Sequence, residues 1–167
     1  MAVRPFLDWP DRRLQTPAAA VGKIDDAIRE LWRDLLDTMY AMPGVGLAAP
    51  QIGDLRRVAV VDCSGRGQAM KMADPEIVRV SENMKLQEEG SPNLPGLRAQ
   101  ILRPEPVTVT YLDPSGNRVQ RDFSGLWAAS VQHQIDHMNG IMFFDRLSRV
   151  KRRMLLAKSA KLARRSA

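Results

Sequence analysis

Cysteine is nearly absent: the 167 residues contain one, Cys63. An internal disulfide is thereby excluded, and a thiol in the apolar run Arg57-Val-Ala-Val-Val-Asp-Cys63 reads as a plain buried side chain. No apolar run approaches the roughly 20 residues that cross a bilayer, so a membrane-spanning helix is excluded too. Internal repeats, linkers and low-complexity tracts are missing, and one domain over residues 1–167 is expected. The first ten residues lack both an apolar signal core and an Arg-rich, acid-free stretch. A cytoplasmic location is the expectation.

What is present begins with charge. The formal net charge is +6, but it is unevenly placed. From Arg146 onward there are nine basic residues and no acidic one, whereas the first 145 residues carry 16 basic and 19 acidic groups. The basic character belongs to the tail, so the body is not a nucleic-acid binder by charge.

Between Lys23 and Met42, Ile24, Ile28, Leu31, Leu35 and Met39 recur at helical spacing, widened by Trp32 and Leu36; Pro43-Gly44 then stops the helix. The small-residue stretch Gly44 to Gln51 reads as a loop or short extended segment. Strands are expected at Arg57–Asp62, Glu76–Val80 and Pro106–Leu112. In the last of these Val107, Val109 and Tyr111 alternate with Thr108 and Thr110. Asp113-Pro-Ser-Gly116 turns the chain back into Val119–Phe123. Ser124 is placed to cap a second helix bearing Trp127, Val131, Ile135 and Met138, ended by Asn139-Gly140. A last helix, Arg146 to Leu162, carries a Val150, Met154, Leu155 stripe and is otherwise basic.

Both histidines of the chain, His133 and His137, lie four apart on the second helix, so their imidazoles share a face and can chelate one metal. In the hydrolytic form of such a motif the residue after the first histidine is Glu, which shuttles a proton. Here it is Gln134, whose amide cannot do so. A pair of helix histidines holding no ligand stays open as the other reading. Gly44-Val-Gly-Leu-Ala-Ala49 imitates a dinucleotide fingerprint with Asp62 as ribose acid. A helix precedes it and Pro50 follows it, so that reading is rejected.

Three segments in order, Gly44-Val-Gly-Leu-Ala-Ala-Pro-Gln51, Glu88-Glu-Gly-Ser-Pro-Asn-Leu-Pro-Gly96 and Gln132-His-Gln-Ile-Asp-His-Met-Asn-Gly140, resemble the signature motifs of bacterial peptide deformylases. Flanking stretches resemble the family too, including Asp37-Thr-Met-Tyr40, Asp74-Pro-Glu76 and Arg103-Pro104. The resemblance implies removal of the formyl group from N-formylmethionyl peptides, with a divalent metal held by one Cys and two His. It implies that Gln51 holds the formyl oxygen, that His133 and His137 are the metal histidines, that Gly46 and Leu47 line the pocket and that Arg103 lies beside the peptide cleft.

Three positions depart from that pattern. Ser91 stands where the metal-binding cysteine belongs, and a neutral hydroxyl is a poor ligand for Zn, Fe or Ni. Pro92 stands where a backbone N–H would support the oxyanion, and proline has none. Gln134 replaces the proton-shuttling Glu.

The expected architecture is α+β: antiparallel sheets around a central helix that carries the motif histidines, with a basic C-terminal helix. The expected function is a catalytically impaired deformylase homologue with no metal or a weakly bound Zn, Fe or Ni. Its expected partners are nascent formylmethionyl peptides and, through residues 146–165, the ribosome. The alternative is an active metal-dependent deformylase or amidase with a rebuilt site in which Glu88 or Glu89 moves in. A third possibility is a structural paralogue that assembles with an active deformylase.

Overall fold

The structure, a computed structural model, describes residues 2–166. In chain order its principal elements are α1 (Asp26–Ala41), β1 (Gly46–Ala48), β2 (Val58–Val61), β3 (Met70–Val80), β4 (Met84–Gly90), β5 (Arg98–Pro104), β6 (Val107–Leu112), β7 (Arg118–Phe123), α2 (Gly125–Met138) and α3 (Arg149–Ser166). Five strands form one antiparallel sheet in the order β1-β2-β3-β6-β7, and β4-β5 form a second, two-stranded sheet. The α+β expectation is met, with α2 as the central helix.

Helix α1 starts three residues later than its apolar spacing suggests, because the Asp25 carboxylate caps it by accepting the Ile28 N–H. Its inward side chains Ile28, Leu31, Trp32, Leu35 and Met39 pack with Leu47, Val58 and Val60. Helix α2 follows Ser124 and ends at Asn139 as expected, but every residue from Ala128 to Met138 is buried. One flank of α2, through Ala128, Val131, Ile135 and Met138, packs on the large sheet. On the small-sheet side the Gln132 amide donates to the Pro104 carbonyl at 2.9 Å.

The hairpin of β6 and β7 is as expected, although Thr108 is buried and donates its hydroxyl to Asp122 at 2.5 Å, which blurs the alternation. Strand β3 begins six residues before the expected Glu76. It is broken by a register shift at Asp74, which adopts φ +46°. Asp is among the residues that tolerate this left-handed region, and here its carboxylate oxygens accept the N–H groups of Val21 and Gly22, each at 2.8 Å.

The final helix needs correction. Arg146 belongs to a preceding 3-10 turn, Phe143–Arg146, and Val150 and Met154 are 61% and 67% exposed. The half-buried face is Arg152, Leu155, Leu156 and Ser159. Leu155 and Leu156 meet Leu14, Met142, Phe143 and Phe144, and the Arg152 guanidinium lies 5.4 Å over the Phe144 ring and pairs with Asp145 at 2.8 Å. Anchoring by Arg152 turns the helix away from the stripe inferred from apolar residues alone. No helix among the described residues is long and apolar enough to cross a membrane.

Candidate active site

A cleft of about 590 Å³ opens between the approach to β1, the end of β4 with its following loop, and α2. Its wall brings together Gly46, Gln51, Ser91, Pro92, His133 and Gln134. These come from all three sequence motifs. Of the residues expected in the pocket or beside it, Leu47 and Arg103 do not line the wall. The Leu47 side chain is fully buried in the α1 core, because strand alternation beside Gly46 turns it away from the cleft. Arg103 is 4% exposed and sits behind the wall, where it neutralises carboxylates that could not otherwise be buried.

Arg103 Nε and Nη2 hold the two Glu89 oxygens at 2.5 and 2.8 Å, and Nη1 reaches Asp136 at 3.0 Å. Arg146 closes the other side of Asp136 at 3.0 and 2.6 Å. Burial raises the Glu89 pKa, but hydrogen bonds from Arg103 and His133, with the guanidinium charge, outweigh it and hold Glu89 below its ordinary value. Ionised Glu89 can only accept, so the 2.9 Å contact with His133 is donated by the ring Nδ1–H. The other ring nitrogen of His133, Nε2, faces His137.

His137 Nε2 lies 3.0 Å from His133 Nε2, one turn along α2. Full burial, then the neighbouring His133 and Arg103, push the His137 pKa well below the ordinary value, so this ring is neutral. Its buried Nδ1 has no hydrogen-bond partner among the described residues.

Gln51, on the 3-10 turn Ala49–Ile52, is fixed at both ends of its amide. Oε1 accepts the Ala48 N–H at 2.9 Å, and Nε2 donates to Asn93 Oδ1 at 3.0 Å and reaches Ser91 Oγ at 3.5 Å. Ser91 in turn donates to Asn93 Oδ1 at 3.0 Å and accepts the Asn93 N–H at 3.2 Å. Asn93 Nδ2 ties the loop to the carbonyls of Leu7 and Gln51. Sequence reasoning passed over Asn93 as a site residue. A lone Asn in a Pro-rich loop carries no signal of what it will bind.

These donors do not fit a firmly held divalent ion. Among the described residues, His133 Nε2 and His137 Nε2 have only each other as hydrogen-bond partners. Glu89 contacts His133 at Nδ1, on the opposite edge of the ring from Nε2, and Glu88 is solvent-exposed beside Arg98 at 3.5 Å. Among the described residues no cluster of three His, Cys, Asp or Glu side chains is arranged to hold a metal. Cys63 does not help: it is half-buried away from the cleft wall, and burial, with the charge of Asp62, pushes its thiol up to about 11.

Comparison with known proteins agrees with this architecture. The Polypeptide deformylase family profile matches residues 3–153. A peptide deformylase of Methylocella silvestris is 41% identical over 98% of this chain and 87% of its own length. A peptide deformylase-like protein of Bradyrhizobium diazoefficiens is 41% identical over 98% of this chain and 96% of its own. The crystal structure of a peptide deformylase from Legionella pneumophila superposes with a TM-score of 0.91 at 42% identity, covering 99% of this chain and 98% of that one. On the fold, the motif-bearing cleft and these likenesses together, the chain belongs to the polypeptide deformylase family.

Proposed function

We propose that the protein is a deformylase-family receptor for N-formylmethionyl peptides in which the hydrolytic step is strongly impaired. The observation that carries this reading is that Ser91, Pro92 and Gln134, the three departures from the motifs, all stand on one cleft wall beside an intact Gln51 and His133. On this reading the cleft serves binding, while the groups that would carry hydrolysis are replaced.

Each loss has a size. A missing general acid-base group costs roughly 10²- to 10⁴-fold in rate and a missing oxyanion donor on the order of 10²- to 10³-fold. These factors belong to one machine and do not multiply, yet any one is crippling. The residues that remain can bind and orient a peptide. None of Ser91, Gln51 or Gln134 can move a proton in the role of a carboxylate.

A second reading, an active metal-dependent deformylase with a weak metal site, is favoured by the names of relatives at about 40% identity. It is also favoured by the two imidazoles that still converge. The two readings separate on one experiment. Formyl-Met-Ala-Ser is titrated into the protein by calorimetry, and formate release is followed with and without added Zn, Fe or Ni. Binding with turnover orders of magnitude below an active deformylase supports the first. Brisk, chelator-sensitive turnover supports the second. Either way the basic face of α3, which carries no acidic residue, is suited to an anionic partner such as the ribosome.

A further inference from the structure

A second pocket, of about 340 Å³, shares no lining residue with the cleft. Its walls are the start of β3, the β6–β7 hairpin and Trp127 in the first turn of α2, and its size suits a small organic molecule. Tyr111 alternates inward on β6 and packs in the core beneath α2, 5% exposed. Among the described residues, unpaired side-chain polar atoms closed off from solvent occur only in Gln134 and His137. The Tyr111 hydroxyl, which has no hydrogen-bond partner there either, therefore opens on the pocket that its residue lines. The Trp127 indole N–H is likewise unpaired, on a half-buried ring packed against the same core. Arg121 stands opposite Val109 in the β6–β7 register and so leaves the edge strand on its core-facing side. Its guanidinium meets the Met70 sulfur at 3.5 Å and the Phe123 ring, centred 5.6 Å away, but no carboxylate among the described residues.

We infer that this pocket is a binding site for a small aromatic carboxylate, held at its carboxylate by Arg121 and the Tyr111 hydroxyl and flanked at its ring by Trp127 and Met70. Unpaired donors beside an uncommitted guanidinium select an anion, and the planar fork of Arg121 matches the two oxygens of a carboxylate. Aromatic and thioether walls select a flat apolar body. Asp113 also lines the pocket, with its Oδ1 accepting the N–H groups of Ser115 and Asn117. That negative charge favours a monoanion over a doubly charged phosphate. None of the replaced motif residues lines this pocket, so the inference stands whichever reading of the cleft holds.

The test is titration of the full-length, isotope-labelled protein with phenylacetate and indole-3-acetate, followed by amide and indole chemical shifts, with phenylacetamide and inorganic phosphate as comparisons. Saturable shifts are expected at Met70, Tyr111 and the Trp127 indole. Phenylacetamide, which keeps the ring and loses the charge, should bind about tenfold more weakly than phenylacetate. Arg121→Gln should weaken phenylacetate by about tenfold, Arg121→Lys by less, and Tyr111→Phe by about fivefold. Thermal melts confirm that the variants fold; Arg121 is exposed on an edge strand and Tyr111→Phe removes one atom. The assignment is overturned if neither acid binds saturably, or if the shifts are confined to Gln51, Ser91 and His133 in the cleft. Equal affinity in wild type and Arg121→Gln, or phenylacetamide or phosphate binding as tightly as phenylacetate, overturns it as well.

Discussion

Arg103 grips Glu89 inside the protein, with both side chains no more than 7% exposed. This bond joins the paired strands β5 and β4 and, through Glu89, fixes the ring of His133 on α2. Removing one member of such a pair strands the other as an uncompensated buried charge. Arg103→Met should therefore destabilise the protein by about 3–5 kcal/mol, measured by urea denaturation. The double variant with Glu89→Gln should lose less than the two singles together. A loss below about 1 kcal/mol for Arg103→Met would show that the pair is dispensable.

Protein purified without added metal should contain far less than one equivalent of Zn, Fe or Ni. Two imidazoles and a serine hydroxyl lack the anionic ligand that makes such sites firm. Elemental analysis after dialysis decides the matter, and stoichiometric metal that survives a chelator would refute the prediction. Ser91→Cys should raise the metal content.

Ser91→Cys, Pro92→Leu and Gln134→Glu made together should restore measurable metal-dependent formate release from formyl-Met-Ala-Ser, while each alone should not. Each single repair acts on a cycle still broken at the other two positions, so strong non-additivity is expected. Substantial turnover by the unaltered protein contradicts this. So does a triple variant that binds metal fully and stays inert.

The basic face of α3 should bind ribosomes or polyanions with affinity that falls steeply as salt rises. Arg146 and Arg152 are poor choices for the test, because they pair with Asp136 and Asp145. Charge reversal of the exposed Lys158, Lys161, Arg164 and Arg165 leaves the packing of Leu155 and Leu156 in place. Co-sedimentation with ribosomes should be lost in that variant, and retention at wild-type level removes α3 as the contact.

Cys63 should alkylate slowly near neutral pH. With its thiol pushed up to about 11, only about one molecule in a thousand carries a thiolate at pH 8. The rate with iodoacetamide should climb about tenfold per pH unit up to that value. A plateau near pH 9, the ordinary thiol value, would show that burial and Asp62 do not act as described.

Much of the fold is legible from local pattern. Helix α2 was bounded by Ser124 and Asn139, and the β6-β7 hairpin by its Asp113–Gly116 turn, because caps and turns are chemistry of neighbouring residues. Strands β4 and β5 were not foreseen, and the reason is physical. Their outward face exposes Leu86 and Leu102, while inward positions hold Glu89 and Arg103, so the usual apolar-in, polar-out signal is partly inverted. Only tertiary pairing makes that inversion stable. At the site, motif positions placed Gln51, Ser91, Pro92, His133 and Gln134 on one wall. The positions of Arg103 behind it and Leu47 inside the core depend on which way a side chain turns, which a motif does not record.

Helix α2 is enclosed along its whole second half, and this separates the fate of its residues from that of the loop after β4. His137 is 1% exposed and fills space between elements, so a smaller residue there would leave a void whatever the protein catalyses. Ser91 and Pro92 stand on a loop held together by Asn93, where a change of side chain disturbs chemistry more than packing. A histidine at position 137 is thus accounted for by packing alone. In a protein of this shape the loop after β4 is therefore the more informative place to look for a change of chemistry.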